Sequence, residues 1–394
     1  MNHVEGVTTT LPEMKPSVSP TPGEAPLPAL EPQIFQGSAA ITALQPEWDK
    51  LFARSVDASP HLSFAWLRAF LSLSTTRRPV VLTLWHGPQL VALLPLTLHR
   101  TVGLRVATHL GTGSPSYLGV LTDAQYPQAP AALAQLCRNL TMFDVLALED
   151  MNDQDPSTRQ FLEGLGAQGY KLRQVPRNVA HVIKLTGTYE QYLTATKSTK
   201  RRHELRREER KLKDTGQVVF EHYCGAQITA ALLARLPPIQ KESWLSQRGA
   251  DILEGPFFQT LLRQLADSGM ARLWIITING DDAAFGLGCL SHRQFHYMWT
   301  AFKQQYLSLS VGKALTNRLL HDLCAEGIDS FDFGHGDAEY KRFWGTHTST
   351  IYRVVAAQNL RGKLYARALE RYWLLKNNAR LRDLYHRARK MMRR

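Results

Sequence analysis

Apolar and polar positions in the C-terminal half of the chain predict a strand, a helix and a second strand in succession. Residues 295–302 form an aromatic run of strand type, and Phe331 and Phe333 alternate with polar neighbours. Between them, four leucines recur at helical spacing: Leu315, Leu319, Leu320 and Leu323. Ser310 is placed to cap this helix at its start, and Gly327 to end it.

The same patterns over the whole chain predict two α/β domains with tails. The first, 34–186, has predicted helices at 45–53, 63–73, 129–140 and 157–166, a hairpin over 80–98 and a strand over 143–148. The second, 187–360, has predicted helices at 189–213, 232–247 and 256–267, and a hairpin that turns at Asn279-Gly280. Residues 1–33 hold seven of the 20 prolines and are predicted to be disordered, whereas 361–394 is predicted to be a basic helical tail.

The formal net charge of +13 comes from two segments. Residues 197–213 contain nine Lys or Arg and three Glu, and residues 361–394 contain twelve Lys or Arg and two acidic residues. The first segment is either a solvated helix with charged pairs or a face that binds phosphate or a membrane surface. The tail either lies on an anionic membrane surface or packs back on the domain. Charge alone permits nucleic-acid binding, but no recognised module supports it, and we expect none.

Cysteine use and hydropathy indicate a cytoplasmic protein. The four cysteines are widely spaced, with no metal-type pair, and we expect reduced core residues and no bound metal. No basic start precedes an apolar core at the N-terminus, so a signal peptide is not predicted. The most apolar window, 80–98, is interrupted by a turn sequence and is too short to span a membrane. The tail would hold such a protein at the inner face of the membrane.

Two short segments carry the candidate chemistry. Six ionisable or phenolic groups follow the strand that stops at Gly334, and strand ends in α/β sheets are where ligands bind: His335, Asp337, Glu339, Tyr340, Lys341 and Arg342. Their alternative role is that of a charged loop that caps a strand. The second segment is the helix start Ser310-Val311-Gly312-Lys313-Ala314, whose amides, with a cation beside them, suit the pyrophosphate of a nucleotide-type cofactor. The alternative there is an ordinary capped helix.

Together these motifs resemble the BioF2-like or CelD-like branch of the GNAT acyltransferases. The resemblance covers roughly residues 40–360 and rests on these segments: 48–51, 60–67, 91–96, 200–207, 306–314, 326–327 and 331–344. It implies tandem GNAT-like folds, each a mixed twisted sheet flanked by helices, with an acyl-CoA loop only in the second. That loop reads Arg/Gln-x-x-Gly-x-Gly/Ala in the family. Gly312 and Ala314 match its last two fixed places, whereas Leu309 stands where Arg or Gln is usual.

The resemblance implies transfer of an acyl group, with acetyl-CoA as the expected donor, to an amine or hydroxyl of a small-molecule or saccharide acceptor. CelD-type proteins are associated with cellulose biosynthesis, so polysaccharide or cell-envelope biosynthesis is the expected setting. Asp337 and Glu339 are then candidate bases, Tyr340 is a candidate acid for the thiolate, and His335 suits either role. Residues that hold an anionic acceptor or a cofactor phosphate would be Lys341, Arg342 and Arg201.

Two other functions remain open at the level of sequence. A FemAB-like transferase shares the tandem architecture but takes amino acids from charged tRNA, and residues 197–213 would then contact RNA. A non-catalytic scaffold of a polysaccharide synthase would explain Leu309 in the cofactor loop. The sequence leaves the acceptor, the acyl length and the oligomeric state open.

Overall fold

The computed structural model describes residues 7–10, 28–56, 58–71, 78–113, 117–152, 154–243, 253–357 and 359–377. The strands in these ranges are β1 Val7–Thr10, β2 Glu31–Gln36, β3 Arg78–His86, β4 Gln89–Thr101, β5 Leu104–His109, β6 Leu121–Thr122, β7 Val145–Asn152, β8 Arg173–Lys184, β9 Val218–Cys224, β10 Ala271–Ile278, β11 Asp281–Ser291, β12 Gln294–Phe302, β13 Ser330–His335 and β14 His347–Ala357.

The α-helices in the same ranges are α1 Ser38–Ala43, α2 Gln45–Arg54, α3 Phe64–Leu71, α4 Ala129–Asn139, α5 Pro156–Ala167, α6 Tyr189–Thr196, α7 Thr199–Lys213, α8 Ala230–Leu233, α9 Leu236–Lys241, α10 Pro256–Asp267, α11 Val311–Ala325, α12 Glu339–Trp344 and α13 Leu360–Asn377. Strands and helices alternate through most of the chain, and the predicted α/β class is confirmed. In the part of the chain that the structure describes, no helix combines the length and apolarity that a bilayer crossing requires.

Backbone contacts divide the chain into two compact units. Unit 1 comprises residues 1–179 and 349–394, and unit 2 comprises residues 180–348. The domains predicted from sequence, 34–186 and 187–360, differ from these units at both ends of the second one. The reason at the C-terminal end is strand pairing, because residues 351–357 of β14 are antiparallel to β7 and so return the chain to unit 1.

The sheet of unit 1 has the order β1-β2-β3-β4-β5-β7-β14, with β6 on β4. Neighbours are antiparallel except β5 and β7, which are parallel. Helix α4 lies between these two strands in the chain, and its buried side chains Leu133, Leu136 and Cys137 pack in the core on this sheet. Eight consecutive residues of β4 (Gln89–Thr101), 90–97, are buried, and seven of these eight are apolar.

The sheet of unit 2 repeats that arrangement with different residues. Residues 180–184 of β8 pair with β13, and the order continues through β12, β11 and β10 to β9. All neighbours are antiparallel except β12 and β13, which are parallel. Helix α11 connects the parallel pair and buries its predicted stripe, with Leu315, Leu319, Leu320 and Leu323 each at most 1% exposed. The parallel pair and its helix are the frame of the candidate site.

Local patterns placed several elements correctly in unit 2. The hairpin of β10 and β11 turns at Asn279 and Gly280, whose φ angles of 50° and 83° are those of the tight turn that joins antiparallel strands. Helix α10 has the predicted bounds. The predicted helix 189–213 is instead two helices, because Ser198 caps α7 by accepting a hydrogen bond from the Arg201 amide.

Other predicted elements differ from the structure in their bounds. The predicted helix 232–247 is represented by α8 and α9, since prolines in the first turn of α9 start a new helix, and residues 244–250 lie outside the described ranges. In the segment 1–33, predicted to be disordered, β1 pairs with β2 and β2 begins at Glu31. The predicted basic tail forms α13 as far as Asn377, and residues 378–394 lie outside the described ranges.

Candidate active site

Strands β12 and β13 pair over only part of their length. The parallel ladder joins Gln294–His296 to Ser330–Asp332, although β12 continues to Phe302 and β13 to His335. The strand β13, predicted to stop at Gly334, reaches His335 through a register shift that follows Asp332. Gly334 has φ of 68°, and its amide donates to the Asp332 carboxylate at 2.6 Å. The parallel ladder therefore ends at His296, while Gly334 still lies against the carbonyl oxygen of Tyr297 in β12.

The start of helix α11 follows the end of β12 after a short 3-10 turn, Gln304–Leu309. Ser310 stands at the predicted cap position, but its φ of 54° is left-handed and its side chain caps no amide. The prediction of the position is confirmed, and the prediction that the serine caps the helix is wrong. The amides of the first turn consequently lack the side-chain acceptor that usually covers them.

Gly312 lies in close contact with the last residue of β12. A Cβ built at Gly312 would be 3.1 and 3.2 Å from two ring atoms of Phe302, so any side chain here would require the ring to move. Val311 is fully buried and contributes only its backbone to the helix start. The residue type at 312 is thus set by the packing of the helix against β12.

Three cations surround the ring of Phe343 and connect α11, α12 and the α6–α7 turn. Lys313 of the helix start lies 6.0 Å from the ring centroid, Arg201 of α7 lies 5.6 Å away, and Lys197 lies 5.1 Å away. Lys313 is also held by Glu208 of α7 at 2.9 Å. The helix start and the loop that ends in α12, which are separate in sequence, are therefore neighbours through Phe343. The surface that they share is basic.

The six groups predicted after β13 divide into exposed and buried members. Asp337, Glu339 and Arg342 are exposed, and Tyr340 is 38% exposed with its ring edge-on to Phe333. Burial of the phenol raises the pKa of Tyr340 to about 12, and the phenol is protonated at neutral pH. His335 is half-buried.

Lys341 is the buried member of this group, with 8% of its surface exposed. Its ammonium donates to the carbonyl oxygens of His335 at 2.6 Å and Gly334 at 3.3 Å. The sequence predicted a substrate contact for Lys341. The structure instead gives its ammonium backbone partners, and these bonds fix the turn that presents Asp337. Burial lowers the pKa of Lys341 to about 8, and this effect is larger than the opposing one of the nearby Asp332 carboxylate, which raises the pKa.

The Lys341→Met variant tests this burial through pH. Between pH 8 and 10.5 the unfolded chain keeps the lysine proton that the folded chain has lost, so the lysine's contribution to stability rises with pH in that window. We expect the free energy of unfolding of the wild type, relative to the variant, to rise by on the order of 2 kcal/mol from pH 8 to 10.5. Urea titrations of both proteins at intervals across that window measure it. Parallel pH profiles would show that Lys341 is solvated.

His181, on β8, is a site residue that the sequence did not predict. It is 6% exposed, and its Nε2 lies 2.9 Å from Oδ1 of Asp337, whose side chain is 53% exposed. The other carboxylate oxygen of Asp337 lies 3.5 Å from a guanidinium nitrogen of Arg342. A buried imidazole thus anchors one end of an exposed carboxylate. The only sequence signal was a histidine within an apolar strand pattern, and it fell in the domain predicted to be the first.

Lys197 is a second residue that the sequence missed as part of the site. Its ammonium donates to the carbonyl oxygens of Phe343 at 2.5 Å and Trp344 at 3.4 Å, and burial lowers its pKa to about 8. The predicted contact Arg201 is exposed and paired with Glu204 at 2.9 Å. Lysine 197 therefore ties the turn before α7 to the C-terminal end of α12, whereas Arg201 remains at the surface beside it.

Metal and disulfide chemistry receives no support in the described ranges. Across 7–377, less the gaps given above, no group of three or more His, Cys, Asp or Glu is arranged to hold a metal ion. The four cysteines are free thiols.

Comparison with known proteins assigns the class of this site. Residues 199–342 match a family model described as an acetyltransferase (GNAT) domain, and every candidate residue predicted from sequence lies in that range. The curated proteins yielded no match. The structure is similar to that of FemX, at 11% identity and TM-score 0.62, over 83% of this chain and 98% of that one. It is also similar to the C-terminal domain of a protein from Agrobacterium fabrum named as a lysylphosphatidylglycerol synthetase, at 13% identity and TM-score 0.54, over 85% and 96%.

At these identities the structural similarities show the fold alone. Residues 199–342 are similar to an acetyltransferase (GNAT) domain, and the predictions of tandem GNAT-like folds and of an acyltransferase enzyme are confirmed at that level. The finer prediction of a BioF2-like or CelD-like type stays a prediction.

Proposed function

We propose that this protein is an acyl-CoA-dependent acyltransferase that modifies an amine or hydroxyl acceptor. The observation that carries the proposal is the start of α11. Its first turn is uncapped by any side chain, Gly312 adds no side chain to it, and Lys313 adds a cation. Such a helix start binds phosphate through backbone amides and the helix dipole. The amides of Ser310, Lys313 and Ala314 donate to backbone carbonyls within this turn, so the amides of Val311 and Gly312 are the ones offered to a phosphate.

The C-terminal part of β12 supports the same assignment. The ladder with β13 ends at His296, and β12 continues beyond it to Phe302, towards the helix start. An extended polar arm can bind there by adding to the sheet edge. The residues therefore fit a nucleotide-linked thioester, with Ser310 to Ala314 holding the pyrophosphate. Bound acyl-CoA, expected to be acetyl-CoA, would supply an activated acyl group.

In this proposal Asp337 accepts the proton of the acceptor's attacking group. Its carboxylate is exposed to an incoming acceptor, and His181 fixes its orientation from the buried side. Tyr340 is the candidate proton donor to the leaving thiolate; it is protonated at neutral pH, and its raised pKa makes it a weaker acid than a free phenol. His335 precedes this pair in the chain and Glu339 lies between its two members, and both are further candidates for proton transfer. Arg342 and Arg201 are exposed cations that suit an anionic acceptor, whereas Lys341 acts as a positioning residue.

The His181→Phe variant tests the positioning role of the imidazole. Loss of its N–H should let the Asp337 carboxylate rotate, so kcat falls roughly tenfold while the Kd for acyl-CoA stays the same. His181→Gln places an amide nitrogen near the former Nε2 and should restore most of the rate. Steady-state kinetics of the three proteins, with acyl-CoA binding by calorimetry, measure both effects. Equal rates in all three would remove His181 from the site.

An aminoacyl-tRNA-dependent transfer is the second candidate function. The similarity to FemX over 98% of that chain and the basic helix α7 favour it. On α7 several cations are paired, Arg201 with Glu204 and Lys213 with Glu209, which reduces the charge left for RNA. The acyl-CoA proposal is preferred because the uncapped helix start suits a pyrophosphate.

Thermal unfolding with saturating acetyl-CoA, CoA and a charged-tRNA mixture separates the two candidates. A ligand at 100 times its Kd adds about 2.7 kcal/mol, a shift of several degrees for domains of this size. We expect a shift with acetyl-CoA and with CoA. A shift only with charged tRNA would replace the proposal by the second candidate. If acetyl-CoA and CoA bind, a screen of saccharide acceptors tests whether the protein acts in polysaccharide or cell-envelope biosynthesis.

A further inference from the structure

Helix α13 presents apolar side chains on two opposite faces. On the inner face, Ala366 and Trp373 are 2% and 4% exposed and pack in a core cluster of unit 1. The guanidinium of Arg353 lies 5.6 Å from the Trp373 ring centroid, and Glu370 pairs with Arg173. These contacts fix the rotation of the helix about its axis and hence define which side chains point outwards.

The outer face carries large apolar side chains that the described residues leave uncovered. Leu360 is 74% exposed, and Leu364 and Leu375 are each 57% exposed. They follow Leu360 by four and fifteen residues. At 100° per residue these three form one row on the side opposite Trp373. Tyr372 and Leu374, 57% and 52% exposed, flank the row. Single exposed leucines are common, but a row along one helix marks an interaction surface.

Cations lie both within this row and beside it: at 100° per residue Arg371 falls between Leu360 and Leu375, Arg367 and Lys363 fall on one side, and Arg361 falls on the other. The exposed charged residues of the described helix are all basic, namely Arg361, Lys363, Arg367, Arg371 and Lys376. The acidic residue of α13, Glu370, is turned towards Arg173. Residues 378–394 add seven more Lys or Arg and one Asp in sequence. The outward face therefore combines exposed leucines with a high density of positive charge.

We propose that this outward face of α13 binds an anionic lipid surface. A helix of this composition lies in the plane of the interface, with its apolar row at the acyl boundary and its cations among the headgroups. A second copy of the chain is a poorer occupant, because a symmetric contact through this face would bring two positively charged surfaces together. The inference is independent of the acyl donor proposed above.

The test is co-sedimentation with lipid vesicles. One set of vesicles is phosphatidylcholine alone, and the other contains about 30% phosphatidylglycerol as the anionic lipid. The full chain should bind the anionic vesicles and not the neutral ones, and binding should weaken as salt rises. The triple variant Leu360→Gln/Leu364→Gln/Leu375→Gln should bind roughly tenfold more weakly or worse. Its matched control is Leu307→Gln, a leucine of unit 2 that is 60% exposed, and this variant should bind as the wild type does.

A second pair of variants separates a specific face from general charge. Arg361→Gln/Arg367→Gln/Arg371→Gln should lower the partition coefficient by roughly 100-fold, since each cation near an anionic surface adds about 1 kcal/mol. The control removes three exposed arginines of α7, with Arg206→Gln/Arg207→Gln/Arg210→Gln, and should change binding little. Thermal midpoints should stay within about 2 °C because all these side chains are exposed.

Three results would overturn the proposal. Equal loss of binding in the two arginine triples would show charge attraction without a defined face. Unchanged binding of the leucine triple would show that the apolar row does not enter the membrane. Absence of binding to anionic vesicles, together with a dimer in light scattering that the leucine triple dissolves, would assign the face to a second copy of this chain.

Discussion

Gly312→Asp is expected to abolish binding of acyl-CoA while the protein stays folded. The substitution puts a carboxylate in the first turn of α11, where the proposed pyrophosphate would lie. Like charges at contact distance near a protein surface repel by on the order of 4 kcal/mol, so Kd should rise roughly 100-fold or more. An aspartate at a helix start is favourable to the helix itself, which preserves the fold. Isothermal calorimetry with CoA and acetyl-CoA measures the change.

Two control variants separate charge from size at this position. Gly312→Asn has nearly the same volume as the aspartate without its charge, and Gly312→Ala adds only the Cβ that meets Phe302. Both require the ring of Phe302 to move, so both should weaken binding modestly. If the asparagine and aspartate variants bind equally, steric blocking explains the loss. Wild-type affinity in the aspartate variant would show that the phosphate site lies elsewhere.

Asp337→Asn is expected to lower kcat by about 10²- to 10⁴-fold, the usual contribution of a positioned general base. The amide keeps the shape of the carboxylate and a hydrogen-bonding oxygen for His181, so folding and acyl-CoA binding should be unchanged. Asp337 is preferred over other carboxylates because it is exposed and is held by a buried partner at 2.9 Å. Single-turnover kinetics with saturating donor isolate the chemical step once an acceptor is found.

Glu339→Gln is the matched comparison for that prediction. Glu339 is two residues away, is exposed, and begins the first turn of α12, where a negative charge stabilises the helix. Its substitution should lower kcat less than threefold, by the order of magnitude of a surface change. A large loss in Glu339→Gln with a small one in Asp337→Asn would transfer the role of base to Glu339.

Local sequence patterns predicted those parts of the site that depend on near neighbours in the chain. Helix α11 starts and ends where its leucine stripe and its flanking Ser310 and Gly327 predict. The hairpin at Asn279-Gly280 was predictable because only residues that tolerate positive φ fit its tight turn. The cluster of ionisable groups after β13 was visible as composition at a strand end. Each of these depends on residues within one turn or one strand.

Partners distant in sequence were not predictable in the same way. His181 reaches Asp337 across 156 residues because β8 pairs with β13 in antiparallel register, and one residue of slip would turn the imidazole to the other face. Lys341 looked like a surface cation of a charged loop, and only the packing of α12 buries it. The unit boundary near 348 depended on β14 pairing with β7, which no local pattern encodes.

The sequence by itself determined the α/β class, the strand–helix–strand frame around α11 and the residues from which a catalytic loop is built. Hydrophobic periodicity and turn residues encode these features because backbone conformation responds first to adjacent side chains. Tertiary structure alone decided which carboxylate is anchored, which lysine is buried and which face of α13 stays exposed. Those outcomes depend on strand register and on packing between distant segments, whose free energies exist only when the chain has folded.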